Sequence, residues 1–187
     1  MDSESLREPA WVGDVIHFWF EELAESRWFA KNDAIDTHIR DRFLPLHERL
    51  VVQDGSVAAT PRRTLAIVIV LDQFSRNMFR GRPRAFAADS IARGMSRSAI
   101  EQGFDIAMTR QQRMFLYLPF EHSEDAVDQQ LAVELIGDLG DKEWTRYAME
   151  HKEIIERFGR FPHRNAALDR PSSAQELEFL QDPARSF

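Results

Sequence analysis

Seven apolar residues in succession, Leu65 to Leu71, are preceded by Thr60 and Pro61 and followed by the polar positions Asp72, Gln73, Arg76, Asn77 and Arg80. Proline at a first helical position gives up no needed N–H, so the run reads as a helix entered at Thr60-Pro61 rather than as a buried strand. Its first half is apolar all round and predicts burial among other helices. In its second half, spacings of three and four place Gln73, Arg76, Asn77 and Arg80 on one face.

The rest of the chain repeats the helical period. A first helix is predicted from Pro9 to Glu25, with Trp11, Val15, Phe18, Trp19 and Leu23 on a broad face. Asn32 caps a second, carrying Ile35, Ile39, Phe43, Leu46 and Leu50; it is kinked at Pro45 and closed by Gln53, Asp54 and Gly55. After a turn at Gly81, Pro83 opens a helix with the small face Ala85, Ala88, Ile91, Ala92 and Met95, weakened beyond Gly94. Thr109 and Gln112 form a capping box for a short helix that Pro119 stops. Ser123 caps the next, with Glu124 and Asp125 in its first turn and a stripe of Val127, Leu131 and Leu135. Asp141 caps a helix ending at Gly159, and Ser173 with Glu176 caps a last short one. About eight helices and no strand predict one all-α domain over residues 1–187, stacked as antiparallel helical hairpins, with about residues 1–8 and 182–187 frayed.

Composition narrows the chemistry. There is no Cys, so thiol nucleophiles, disulfides and thiolate metal sites are excluded, and a reducing cytoplasm is the expected location. The net charge of −7 argues against nucleic acid and anionic membranes, and no apolar run approaches the length of a bilayer span. The start of the chain lacks the basic region and apolar core of a secretory signal. Among the 24 cations, 21 are Arg, a bias that a GC-rich genome produces without function.

Three stretches hold the candidate chemistry. In LDQFSRNMFRGRPR, residues 71–84, Asp72 and Arg76 lie one turn apart and can pair, while Gln73, Arg76, Asn77 and Arg80 supply donors for an oxyanion. In PFEHSED, residues 119–125, Glu121 and His122 precede a helix start; they serve either as caps or as an acid–base pair. In EHKEIIERFGRFPHRN, residues 150–165, His151 sits on the apolar face of its helix, and Arg157, Arg160, His163, Arg164 and Asn165 make a cationic loop. That loop either binds an anion or pairs with Asp72, Glu121, Glu124 and Asp125. Zinc held by His and carboxylate alone needs ligands from three separate segments; neither metal nor cofactor is expected. Zincin, nucleophile-elbow, phosphate-loop, dinucleotide and EF-hand motifs are absent.

These stretches, with FWFEE and RWFAKND upstream, resemble the bacterial family of domain of unknown function 924, from about Trp11 to Leu180. The resemblance implies an all-helical, tetratricopeptide-repeat-like right-handed superhelix, although no such repeat consensus is visible. Its signature positions include Asp72, Gln73, Arg76, Asn77, Arg80, Glu121, His122, His151, Arg157, Arg160, Phe161, His163, Arg164 and Asn165. Ser75 departs from the proline carried by many relatives. Three readings stay open: a binding module for an anionic small molecule or acidic peptide, an enzyme acting on a phosphorylated or carboxylated small molecule through Glu121, His122 or His151, and a purely structural network. The tryptophans of the first segment can equally serve a homodimer or a core.

Overall fold

The computed structural model describes residues 8–53 and 60–182. Every regular element among them is helical. The centre is a rod made of α3 (Pro61–Val68), a π-helical turn (Ile69–Phe74) and α4 (Ser75–Met78). Thr60 caps it by accepting from Arg63 N, and every side chain from Leu65 to Leu71 is buried. Counting the rod once, eight α-helical bodies occur among the described residues.

The others pack around the rod in chain order. α1 (Ala10–His17) lies on α3 and runs on as a π turn, Phe18–Glu22. α2 (Asp33–Val52), capped by Asn32, covers the rod's second half and continues through Pro45. α5 (Asp89–Glu101) returns along α3, and α6 (Arg110–Glu121) packs on both. α7 (Ala126–Gly137) and α8 (Lys142–Phe158) are added outward, each on its predecessor. α9 (Ala174–Phe179) rests on the 3-10 turn Pro162–Arg164. An aromatic knot fixes the crossings: Trp19 meets Phe74 and Phe115 edge-on, Trp28 meets Phe115, and Trp28 Nε1 donates to Trp19 O at 2.9 Å. Trp19 and Trp28 are thereby buried in the core. Ile154 and Ile155 of α8 form a second, smaller core with Phe161 and Phe179.

Several boundaries differ from the sequence reading. The first helix ends at Glu22, because Leu23 is extended. Asp54 and Gly55, predicted to close the second helix, lie outside the described residues, and Gln53 is its C-cap. α5 begins at Asp89, after a separate 3-10 turn at Pro83–Ala85, and Gly94 does not weaken it: Ser96 beyond it is fully buried. Most consequential is α6, which does not stop at Pro119 but runs to Glu121. A proline removes one backbone hydrogen bond, and here burial of Phe120 and Glu121 holds the last turn in place. The cap of α7 then moves to Asp125, which accepts from Val127 N and Asp128 N. Its buried side becomes Asp128, Gln129, Ala132 and Ile136, leaving Val127 exposed.

Candidate functional site

Parts of four helices and two turns meet here, within and beside the rod. The π turn supplies Asp72 and Gln73, and α4 supplies Arg76. The end of α6 supplies Glu121 and His122, the start of α5 supplies Asp89, α8 supplies His151 and the 3-10 turn supplies Arg164. At the π turn the carbonyls of Leu71 and Asp72 accept from side chains one turn on, Ser75 Oγ at 2.6 Å and Arg76 Nη1 at 2.9 Å. Side chains that take up such carbonyls widen a helix, and one extra residue in the turn re-aims what it carries.

Asp72 is the hub. Its carboxylate receives His122 Nδ1 at 2.9 Å, Gln73 Nε2 at 2.7 Å and Arg76 Nη1 at 3.0 Å, and it is fully buried. Burial alone raises a carboxyl's pKa; here Arg76, His122 and the hydrogen bonds from His122 and Gln73 outweigh it and hold Asp72 well below the carboxylate range. His122 is lowered, first by burial and then by the charge of Arg76, so its ring is neutral at pH 7 with Nδ1–H donating to Asp72. Among the described residues no group bonds Nε2, and the side chain keeps 14% exposure. Arg76 also grips Asp89 with both terminal nitrogens, at 2.9 and 3.0 Å.

Glu121 lies 5% exposed, with His151 Nδ1 3.5 Å from its Oε1. Burial, then the charge of Asp72, pushes its pKa up to about 8, so it holds a proton at neutral pH. His151 donates Nδ1–H to Tyr147 O at 2.9 Å and is held down at about 3, chiefly by burial. His163 is depressed to about 4, by burial and then by Arg164. Arg164 lies between the rings of Phe86 and Phe161, 4.7 and 4.6 Å from their centroids, and donates to His122 O at 2.9 Å. Burial and the charge of Arg76 bring it to about 10, still cationic.

The structure thus joins Asp72, Gln73, Arg76, Glu121, His122, His151 and Arg164. It does not place Asn77 and Arg80 with them: α4 stops at Met78, so Arg80 leaves the helical face, and both side chains bond Asp36 on α2. Asn165 belongs to a separate network with Ser172, Arg170 and Glu176, which also takes Arg160. Arg157 is exposed over the Phe158 ring, and no ion pair holds it among the described residues. Glu121 and His122 close α6, and Asp125 caps α7, so capping of α7 is not their role. Nor does Ser123 cap α7; its hydroxyl donates to Asp128 at 2.8 Å. Sequence reasoning missed Asp89 and Asp36, and saw Glu176 only as a cap; Glu124, which it offered as a partner of the cationic loop, accepts from Phe161 N in that loop. The unpaired arginine excess of residues 71–84 and of the loop 157–165 was the available signal that acids must come from elsewhere. Among the described residues, no group of three or more His, Asp or Glu side chains is arranged to hold a metal ion.

Fold and site define an all-helical protein built around a buried Asp–His–Arg cluster. The chain belongs to the family described as bacterial protein of unknown function (DUF924), whose model matches residues 15–184. It is similar to the structure of a protein of unknown function, ATU0120, from Agrobacterium tumefaciens. The two are 39% identical, with 92% of this chain and 97% of that one covered and a TM-score of 0.86. No curated protein matches the sequence.

Proposed function

We propose that the protein is a cytoplasmic enzyme that moves a proton on a phosphorylated or carboxylated small molecule. His122 is the base, Asp72 fixes its tautomer and orientation, and Glu121 is a carboxyl kept neutral as an acid. The observation that carries this reading is the Asp72–His122 pair. A buried, ionised carboxylate holds one ring nitrogen while the other has no bond within the described residues and the side chain still reaches solvent. Such an arrangement orients a general base and stabilises the imidazolium that forms. Arg76 lies beside it to hold the anionic group.

The pairing of the arginines favours one other reading, a structural lock. Arg76, Arg80, Arg160 and Arg164 all face acids, which also weighs against an open cationic groove for an acidic peptide. The test is a panel of phosphorylated and carboxylated metabolites incubated in D2O and followed by proton NMR. Turnover or deuterium exchange of one member, reduced about 100-fold or more in His122→Gln with the melting temperature kept, supports the enzyme. A panel without turnover, with His122→Gln and Asp72→Asn altering only the melt, leaves the lock.

A further inference from the structure

Asp89 is held differently from the acid it resembles. Asp72 is 1% exposed at its side chain and fixed by donors from Gln73, Arg76 and His122. Asp89 keeps 14% exposure and is held only from the side, by Arg76 at 2.9 and 3.0 Å and by Arg164 Nη1 at 3.4 Å. The two arginines are not equally served. Arg76 Nη1 has two N–H groups for three oxygens, Asp72 O, Asp72 Oδ1 and Asp89 Oδ1, all within 3.0 Å. Arg164 is 6% exposed with ring faces on both sides, so only its in-plane edges can bond; one contact is long, and Nε has no partner among the described residues. A buried donor in that state calls for an acceptor in its plane.

We infer that the Asp89 carboxylate occupies an oxyanion seat between Arg76 and Arg164, and that a phosphate or carboxylate group of a ligand takes the seat by displacing it. Arg76 remains compensated by Asp72 when Asp89 leaves, so the exchange strands no buried cation. A tetrahedral dianion offers oxygens to both guanidinia at once, which the single fork of Asp89 does at 3.4 Å on one side only. His122, whose carbonyl Arg164 holds, then stands beside the bound group. The inference rests on the proposed acid–base reading for its purpose, but the seat itself is measured without turnover.

The experiment is calorimetric titration of the full chain with inorganic phosphate, and separately with malonate. Removing the competing charge in Asp89→Asn is expected to tighten phosphate binding about tenfold, the weight of one charged hydrogen-bonding group. Adding Arg76→Gln to that variant abolishes the gain. Asp89→Ser repeats the comparison with a shorter side chain should Asn disturb the start of α5. Binding no tighter than wild type in either variant, a gain that survives Arg76→Gln, or loss of cooperative melting in both variants overturns the seat. Tightened binding together with a catalytically silent His122 sinks the acid–base reading and leaves the seat standing; turnover without tightened binding does the reverse.

Discussion

The groups beside the rod are set in opposite protonation senses, and that makes stability depend on pH in two directions. Glu121 binds a proton in the folded chain up to about pH 8 and in the unfolded chain only up to the ordinary 4.5. Its contribution is therefore whole below about 4.5 and is lost as pH rises to 8, at about 1.4 kcal/mol per pH unit. His47, His151 and His163, depressed to about 4, 3 and 4, work the other way: the unfolded chain takes their protons first, so stability falls as pH drops below 6.5. Between pH 6.5 and 8 only Glu121 acts among these four. Urea midpoints of the wild type should fall across that window and those of Glu121→Gln should stay level; a level wild type would refute the assignment. At this scale the residue types were legible, as was the local pair Asp72–Arg76, while partners distant in sequence were not. Arg76 and His122 were visible as site candidates, whereas Asp89 sits in FAADS, a stretch with no distinguishing pattern.

Where an element's signal is local, the chain states it outright. Thr109 with Gln112 and Ser173 with Glu176 form both halves of their capping boxes, and Asn32 and Asp141 accept from the first free amides of their helices. Where packing decides, the pattern misleads. Proline in α6 reads as a stop and glycine in α5 as a weak point, and both helices pass through, with buried residues in their far turns. The π turn is of the second kind, since no residue between Ile69 and Phe74 announces it. Ser75 illustrates how it is held: its hydroxyl donates to Leu71 O at 2.6 Å and meets His47 Nε2 of α2 at 2.7 Å. His47 Nδ1 has no partner among the described residues, so Ser75→Ala leaves a buried ring with none. The expected cost is about 1–3 kcal/mol, or roughly 2–4 °C of melting temperature per kcal/mol at this size. A melt unchanged by this substitution would remove Ser75 from the account of the turn.

The molecule as a whole is closed by its last third. Glu124 accepts from Phe161 N at 2.8 Å and from both terminal nitrogens of Arg170 at 2.7 and 2.9 Å. Arg170 in turn bonds Phe161 O and Asn165. One carboxylate thus pins the segment that carries Arg164 to the corner between α6 and α7. Glu124→Ala should speed amide exchange from about residue 160 to 179 by about tenfold or more while leaving α3 and α6 protected. Exchange that rises equally in the central rod would show instead that no separate closing unit exists. This arrangement spans partners some forty residues apart, and nothing in local pattern encodes such a pairing. Arg164 holding the carbonyl of His122 also orders events in time. A ribosome delivers Asp72, Asp89, Glu121 and His122 well before Arg164, so a growing chain carries an acid-rich, half-wired cluster until its final helices emerge. The site is then a late product of synthesis, and a chain whose translation stalls after α8 holds Asp72 and Asp89 on Arg76 as their cation, with Arg164 not yet there to tie down the carbonyl of His122.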